Sequence, residues 1–196
     1  MVEEKKELVE VKTEQLPTMD WRNKEGLALV KSIVAKGCDE TEFKLLVHMS
    51  RIYDLNPLKK EIWAVKYANK PALIFVGRDG LLRIAHNSGK FGSMETTVEL
   101  EEDTRNPNIK NAYYIRKPIS AKCTIWKKGY DKPFKTIVYF DEFNRKMALW
   151  NEKPKMMLGK VAESQCLRKA FNIHCLYVPE EMPETENIHA EVKKDE

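Results

Sequence analysis

One hundred and ninety-six residues at 22.9 kDa suffice for one sizeable hydrophobic core and not comfortably for two. With 42% hydrophobic and 33% charged residues and a mean hydropathy of -0.54, the chain is not a membrane-spanning protein, a collagen-like repeat or a disordered polymer. The net charge of +4 is unevenly spread: Met1–Asp20 holds three Lys against six acids, Ala170–Glu196 two Lys against seven, and Arg116–Lys169 fourteen Lys or Arg against five. A basic middle between acidic ends suits a polyanion partner, and equally a lysine-rich solvated surface.

Residues 1–20 lack apolar periodicity and read as a flexible acidic leader, 21–179 as one core domain, and 180–196 as an acidic flexible tail. No basic start is followed by an apolar run and a cleavage site, so a cytoplasmic location is expected. Within the core, Leu27, Val30 and Val34 form a helical stripe that Gly37 is placed to end. Asp39 with Glu42 resembles a capping box, and Phe43, Leu46, Val47 and Ser50 trace the face of a second helix that stops at Asn56-Pro57. Glu61–Tyr67 and Ala72–Val76 are β-prone runs around the turn Ala68-Asn69-Lys70-Pro71. Asp79 is placed to cap a short helix over Leu81–Asn87 that Gly89 ends.

Further strands are expected over Met94–Leu100, Ile119–Trp126 and Phe134–Phe140, with an acidic loop over Glu101–Asn111 and a basic turn over Lys127–Pro133. Asn151 as cap and Pro154 in the first turn then open a long helix running to about His174. Leu158, Val161, Ala162, Cys166, Ala170 and Ile173 share its inner side, whereas Lys160, Ser164 and Arg168 form a separate ridge flanked by Met157 and Phe171. The expected class is α+β: a small antiparallel sheet with hairpins packed on helices, and a long basic helix near the C-terminus.

Two cations along one helix ridge suit the spacing of a phosphate backbone, although such faces are more often simply solvated. Lys127, Lys128, Lys132 and Lys135 interleave with Trp126, Tyr130 and Phe134. That composition gives single-stranded nucleic acid cations for its phosphates and flat rings for its bases. It also describes a hairpin whose rings pack inward and whose lysines protect an edge. Lys59, Lys60, Lys66 and Lys70 form a second basic group with the same two readings. Gly77-Arg78-Asp79-Gly80 lacks the spacing and GK[ST] ending of a nucleotide loop, and reads as a turn whose Arg78 and Arg83 either pair with Asp79 or meet phosphate.

Catalytic signals are weak. Asp141-Glu142 diverge on a strand, Glu101-Glu102-Asp103 sit in a loop, and no nucleophile-elbow or zinc-protease motif occurs. Cys38, Cys123, Cys166 and Cys175 form no CxxC and are expected as reduced thiols, and Cys166, His174 and Cys175 lack zinc spacing. No catalytic residue, metal or cofactor is assigned.

Three stretches together resemble the Bet/RecT family of phage recombination proteins: NPLKKE at Asn56–Glu61 continuing through Ile62–Val65, VGRDGLLRIA at Val76–Ala85, and Trp150–Met182. The resemblance runs from about Glu40 to Met182. It implies an ATP-independent single-strand annealing protein, not an enzyme, that coats single-stranded DNA left by a 5′ to 3′ exonuclease and pairs it with its complement through an annealed duplex intermediate. It also implies homo-oligomeric rings or helical filaments, a phage or prophage gene in a bacterial or archaeal host cell, and no membrane.

Carried over by position, Lys155, Lys160 and Arg168 contact phosphate in a basic groove. Lys127 or Lys128 from the hairpin and Arg145 after the last strand join them, and Phe171 belongs to packing; Lys132 and Lys70 from the two basic groups and Arg78 from the Gly77–Gly80 turn are added on composition alone. Longer members carry a C-terminal module that recruits the exonuclease and the host single-strand binding protein, where this sequence has an acidic tail after Pro183. Met156 stands where some members have a second basic residue, and Asn172 where others have Pro. A coating protein that does not anneal and a metal-dependent nuclease are the competing readings.

Overall fold

A computed structural model describes residues 20–67, 70–102, 117–144 and 148–181. The first lobe begins with two short helices, α1 (Lys24–Val34) and α2 (Glu40–Ile52). Asn23 caps α1 by accepting from the Gly26 N–H, and α1 buries Val30 and Val34. Gly37 follows at φ +80, a left-handed conformation favouring glycine. The capping box of α2 forms: the Asp39 carboxylate accepts from the Thr41 and Glu42 N–H groups, and Glu42 Oε2 accepts from the Asp39 N–H. Phe43, Leu46 and Ser50 are buried, as the sequence periodicity predicts.

A 3-10 turn, Pro57–Lys59, leads into β1 (Ile62–Val65), which pairs antiparallel with β2 (Leu73–Val76). Helix α3 (Arg78–Asn87) begins earlier than the sequence suggests. Its cap is Gly77, with no side-chain hydrogen bond, and Asp79 lies inside the first turn rather than capping it. The glycine that the packing demands is Gly80, where a Cβ would stand 2.4 Å from the Glu61 carbonyl oxygen. α3 therefore sits directly on the start of β1.

The second lobe is an antiparallel sheet ordered β3-β4-β5, from Phe91–Leu100, Pro118–Lys127 and Phe134–Tyr139. Strand β3 starts three residues before the expected boundary because Phe91 pairs with Lys127. After β5 the chain forms α4 (Phe140–Phe143), α5 (Ala148–Glu152) and the long α6 (Pro154–Phe171). Asn151 lies within α5, so it does not cap the long helix; Lys153 occupies the cap without a side-chain hydrogen bond, and Pro154 takes the first turn. The helix ends at Phe171 rather than His174, because Asn172 adopts φ +54.

Helix α6 crosses all three strands, with α3 against it as well. Leu158, Val161, Ala162, Cys166, Ala170 and Ile173 are buried, joined by Met157 and Leu167. The Val, Leu, Ile and Met side chains among them contribute about 1.5–3 kcal/mol each on burial. These residues belong to one apolar cluster that also contains Trp21, Leu46, Ile62, Leu81 and Ile125, so one core serves both lobes. Beyond α6 the chain returns to the first lobe. The Val76 N–H donates to the Tyr177 carbonyl at 3.0 Å, Phe75 pairs in parallel with Tyr177, and Leu176 and Val178 are buried. The sheets and helices thus form an α+β fold. Among the described residues no helix is long and apolar enough to cross a membrane.

Candidate nucleic-acid interface

The cations proposed from sequence fall into two environments. Along α6 the ridge is not a solvated row. Ser164 is 1% exposed and turned inward, while Lys160 lies 3.5 Å from Glu180 and Arg168 is ion-paired to Glu181. Both glutamates come from a 3-10 turn at Pro179–Glu181. Arg168 also lies 4.7 Å over the Tyr177 ring. Burial pushes the Glu181 carboxyl above its ordinary range, and Arg168 opposes that shift. Arg78 follows the same pattern: it pairs with Glu163 of α6, neither with Asp79 nor left open. Arg78, Lys160 and Arg168 thus each carry an acidic partner, in an ion-pair ladder tying α3, α6 and the C-terminal turn together.

The hairpin between β4 and β5 differs. Lys127 donates from Nζ to the Ala170 carbonyl at 2.7 Å, one of the last orphan carbonyls of α6. Its ammonium lies 4.8, 5.7 and 5.1 Å from the Tyr130, Phe134 and Phe171 ring centroids. The positive charge meets the negative end of the helix and three ring faces, so Lys127 pins the hairpin to the end of α6. Phe171 packs, as expected, against Phe91 at 6.1 Å between centroids. Lys128 and Lys132 project into solvent from the same hairpin.

Three further lysines gather there. Lys135 is on β5, Lys169 on the last turn of α6 donates to the Lys135 carbonyl at 3.3 Å, and the Lys90 carbonyl accepts from the Lys128 N–H at 2.8 Å. Among the described residues no ion pair neutralises Lys90, Lys127, Lys128, Lys132, Lys135 or Lys169. Lys90 and Lys169 were missed as site candidates. Lys169 stood in the same run as Arg168 and Phe171, but Lys90 is brought in by strand register, which leaves no local signal. Exposed Trp126 and Tyr130 accompany this basic pole.

Lys155 is exposed at the other end of α6, roughly 21 Å away at the helical rise. Lys70 is exposed beside the first hairpin, whereas its neighbour Lys66 is ion-paired to Glu42. Arg145 lies outside the described residues. The Lys66 amine, the Asp39 N–H and the Ala72 N–H all serve Glu42 and hold its carboxyl at about 2.

Other clusters are internally satisfied. A cleft of about 350 Å³ contains Arg22, Lys59 and Arg83, yet Asp54 pairs with both arginines, at 2.7 and 3.4 Å, and Glu61 takes Arg83 at 3.2 Å. The four cysteines are free; Cys123 and Cys166 are wholly buried, and their mutual hydrogen bond together with burial raises the Cys123 thiol. His174 and Cys175 are exposed, away from that pair's buried setting. Among the described residues no three His, Cys, Asp or Glu side chains gather to hold a metal.

Comparison with known proteins then bears on this arrangement. The chain is 26% identical over 168 residues to the "Recombination protein bet" of Escherichia phage lambda, an alignment covering 80% of this chain and 58% of that protein. The chain therefore spans little more than half the length of this curated relative. Residues 22–193 match the sequence profile of the RecT family. Since that match takes in both lobes, the basic hairpin and the ladder along α6, the protein belongs to the RecT family.

Proposed function

We propose that this protein is an ATP-independent single-strand annealing protein of phage-type homologous recombination. It binds single-stranded DNA and pairs it with its complement as a homo-oligomer. The observation that carries the reading is the group of lysines without acidic partners on the β4-β5 hairpin and the adjoining end of α6, in a member of the RecT family.

Annealing requires two polyanions to approach while their base edges stay free. Lysine contacts to phosphate lower the repulsion, and contacts confined to the backbone carry no sequence readout. Lys128 and Lys132 supply the first contacts, with Lys90, Lys135 and Lys169 beside them. Lys155 extends the track to the far end of α6. Lys160 and Arg168 lie between, and join when phosphate replaces Glu180 and Glu181 as their partners; Lys70 and Arg78 are the outlying members, and Arg145 is retained from the family resemblance. Lys127 acts by holding the hairpin. A 5′ to 3′ exonuclease that generates the strand and the host single-strand binding protein complete the proposed setting.

The test mixes the protein with a labelled oligonucleotide and then its complement or an unrelated strand, without ATP. Faster pairing with the complement supports annealing. Binding with slowed pairing moves the reading to a coating protein, and shortening of the oligonucleotide upon addition of magnesium moves it to a nuclease.

A further inference from the structure

The second sheet has two edges, and they are unlike. Strand β5 is six residues long, and its Phe134 and Lys135 carbonyls accept from the Cys166 thiol and the Lys169 ammonium, so α6 closes over that edge. Strand β3 runs for ten residues, beyond the usual length, and has only β4 beside it. None of its residues is fully buried. Register shifts fall between Phe91 and Ser93 and between Glu99 and Leu100, which leaves Ser93–Glu99 paired with β4 without interruption. Every second amide and carbonyl along that run points away from β4, and no described residue takes them. Long open edges are commonly blunted by lysine, proline or a central bulge. The run Ser93-Met94-Glu95-Thr96-Thr97-Val98-Glu99 contains none of these.

Along β3 the exposed Ser93, Glu95, Thr97 and Glu99 alternate with the half-buried Met94, Thr96 and Val98. Thr96 and Val98 are seated against α6, where a Cβ at Gly159 would stand 3.8 Å from a methyl of each. The strand is thus held from within and open from the side. Alternation sets the two carboxylates on one face, roughly 13 Å apart. Neither forms an ion pair among the described residues, although Glu99 accepts from the Ser120 hydroxyl at 2.8 Å. This edge repels the phosphates that the hairpin pole attracts. It also refuses its own copy: pairing β3 antiparallel with β3 about Thr97 sets Glu95 against Glu99 twice, with like charges directly opposite.

We propose that β3 takes up an extended, basic segment of another protein as a fourth strand of this sheet. The segment carries two Lys or Arg four residues apart, opposite Glu95 and Glu99, with a small or β-branched residue opposite Thr97. Apolar residues occupy the alternate positions, beside Met94, Thr96 and Val98. Main-chain hydrogen bonds supply attraction, and the two ion pairs set the register, because a slip by one residue turns both cations to the wrong face. Two acids four residues apart read the same in either direction, so the spacing suits a parallel or an antiparallel guest. The contact goes beyond annealing and is independent of it, since it uses neither the hairpin lysines nor the ridge of α6.

The probe is a fluorescein-labelled peptide, Ser-Val-Lys-Val-Thr-Val-Lys-Val-Ser, held at about 10 nM while the whole chain is titrated to about 300 µM. Expected are saturable anisotropy with a Kd on the order of 100 µM, and hydrogen exchange slowed about tenfold at alternate amides of Ser93–Glu99. The peptide with Glu for both Lys, and the one with Pro for its two central Val, should each bind about tenfold more weakly. Glu95→Lys combined with Glu99→Lys should exchange the preference, losing the Lys peptide and taking the Glu peptide. Binding of the Glu peptide then also shows that the variant is folded. Absence of binding, binding that ignores the Pro substitutions, or binding of the Lys peptide that survives the charge reversal overturns the proposal. So does exchange at these amides that is already slow in the protein alone, because the edge is then covered by its own chain or by a second copy.

Discussion

The ridge of α6 and the β4-β5 hairpin carry the same kind of residue in opposite circumstances. On the ridge, Lys160 and Arg168 are held by Glu180 and Glu181. On the hairpin, Lys128 and Lys132 have no acidic partner among the described residues and stand beside exposed rings. Counting cations cannot separate the two, because a charge serves a ligand only if the fold does not spend it first. A partly buried pair such as Arg168–Glu181 chiefly orders the structure, while exposed lysines supply attraction that salt screens.

Five substitutions break or sharpen this contrast. The largest effect is expected for Arg168→Ala, which leaves the Glu181 carboxylate buried without its partner; chemical denaturation should show a loss of about 3 kcal/mol. Lys132→Ala should change stability by less than about 0.5 kcal/mol in the same assay. Second, Lys128→Ala with Lys132→Ala should lower the salt slope of single-strand binding by about 1.4, since each phosphate contact contributes about 0.7. An unchanged slope would remove the hairpin from the interface. Third, Glu180→Gln frees Lys160 and should steepen that slope by up to about 0.7. The smallest expected effect is for Lys31→Ala, which breaks the exposed 2.7 Å pair with Glu40 and should cost less than about 0.5 kcal/mol.

Acid titration offers a separate check on the first lobe. The Glu42 carboxyl is held at about 2, below its ordinary 4.5, by Lys66 and two backbone N–H groups. A lowered carboxylate pKa stabilises the fold above the unfolded value, and that contribution disappears as pH falls from about 4.5 toward 2. The wild-type midpoint of thermal unfolding should therefore drop more steeply over this window than that of Glu42→Gln.

What the sequence disclosed follows the range of the interactions. The capping box at Asp39 and Glu42, the buried stripe of α6 and the three strands of the second sheet all depend on residues a few positions apart, and each formed as expected. The α6 cap was misread because Asn151 and Pro154 imitate a helix start while the chain inserts the short α5 before Lys153. Arg78 and Arg83 looked local to Asp79, but their partners Glu163, Asp54 and Glu61 are set by tertiary packing. The ridge was legible as a pattern and illegible as an environment. Glu180 and Glu181 share the composition of the acidic end, and nothing local says that buried Leu176 and Val178 draw that segment onto the helix. Lys90 reached the basic pole through the pairing of Phe91 with Lys127.

The pairing of Tyr177 with Phe75 bears on the order in which the molecule is completed. A ribosome releases β2 about a hundred residues before the segment that satisfies the Val76 N–H, so a nascent chain holds that strand with an open donor until Tyr177 has been made. The last contacts to close also bring Glu180 and Glu181 onto α6. Integrity of the first lobe thus becomes conditional on the segment that follows α6, and a nick before Leu176 would be felt at Phe75, in residues made long before the break.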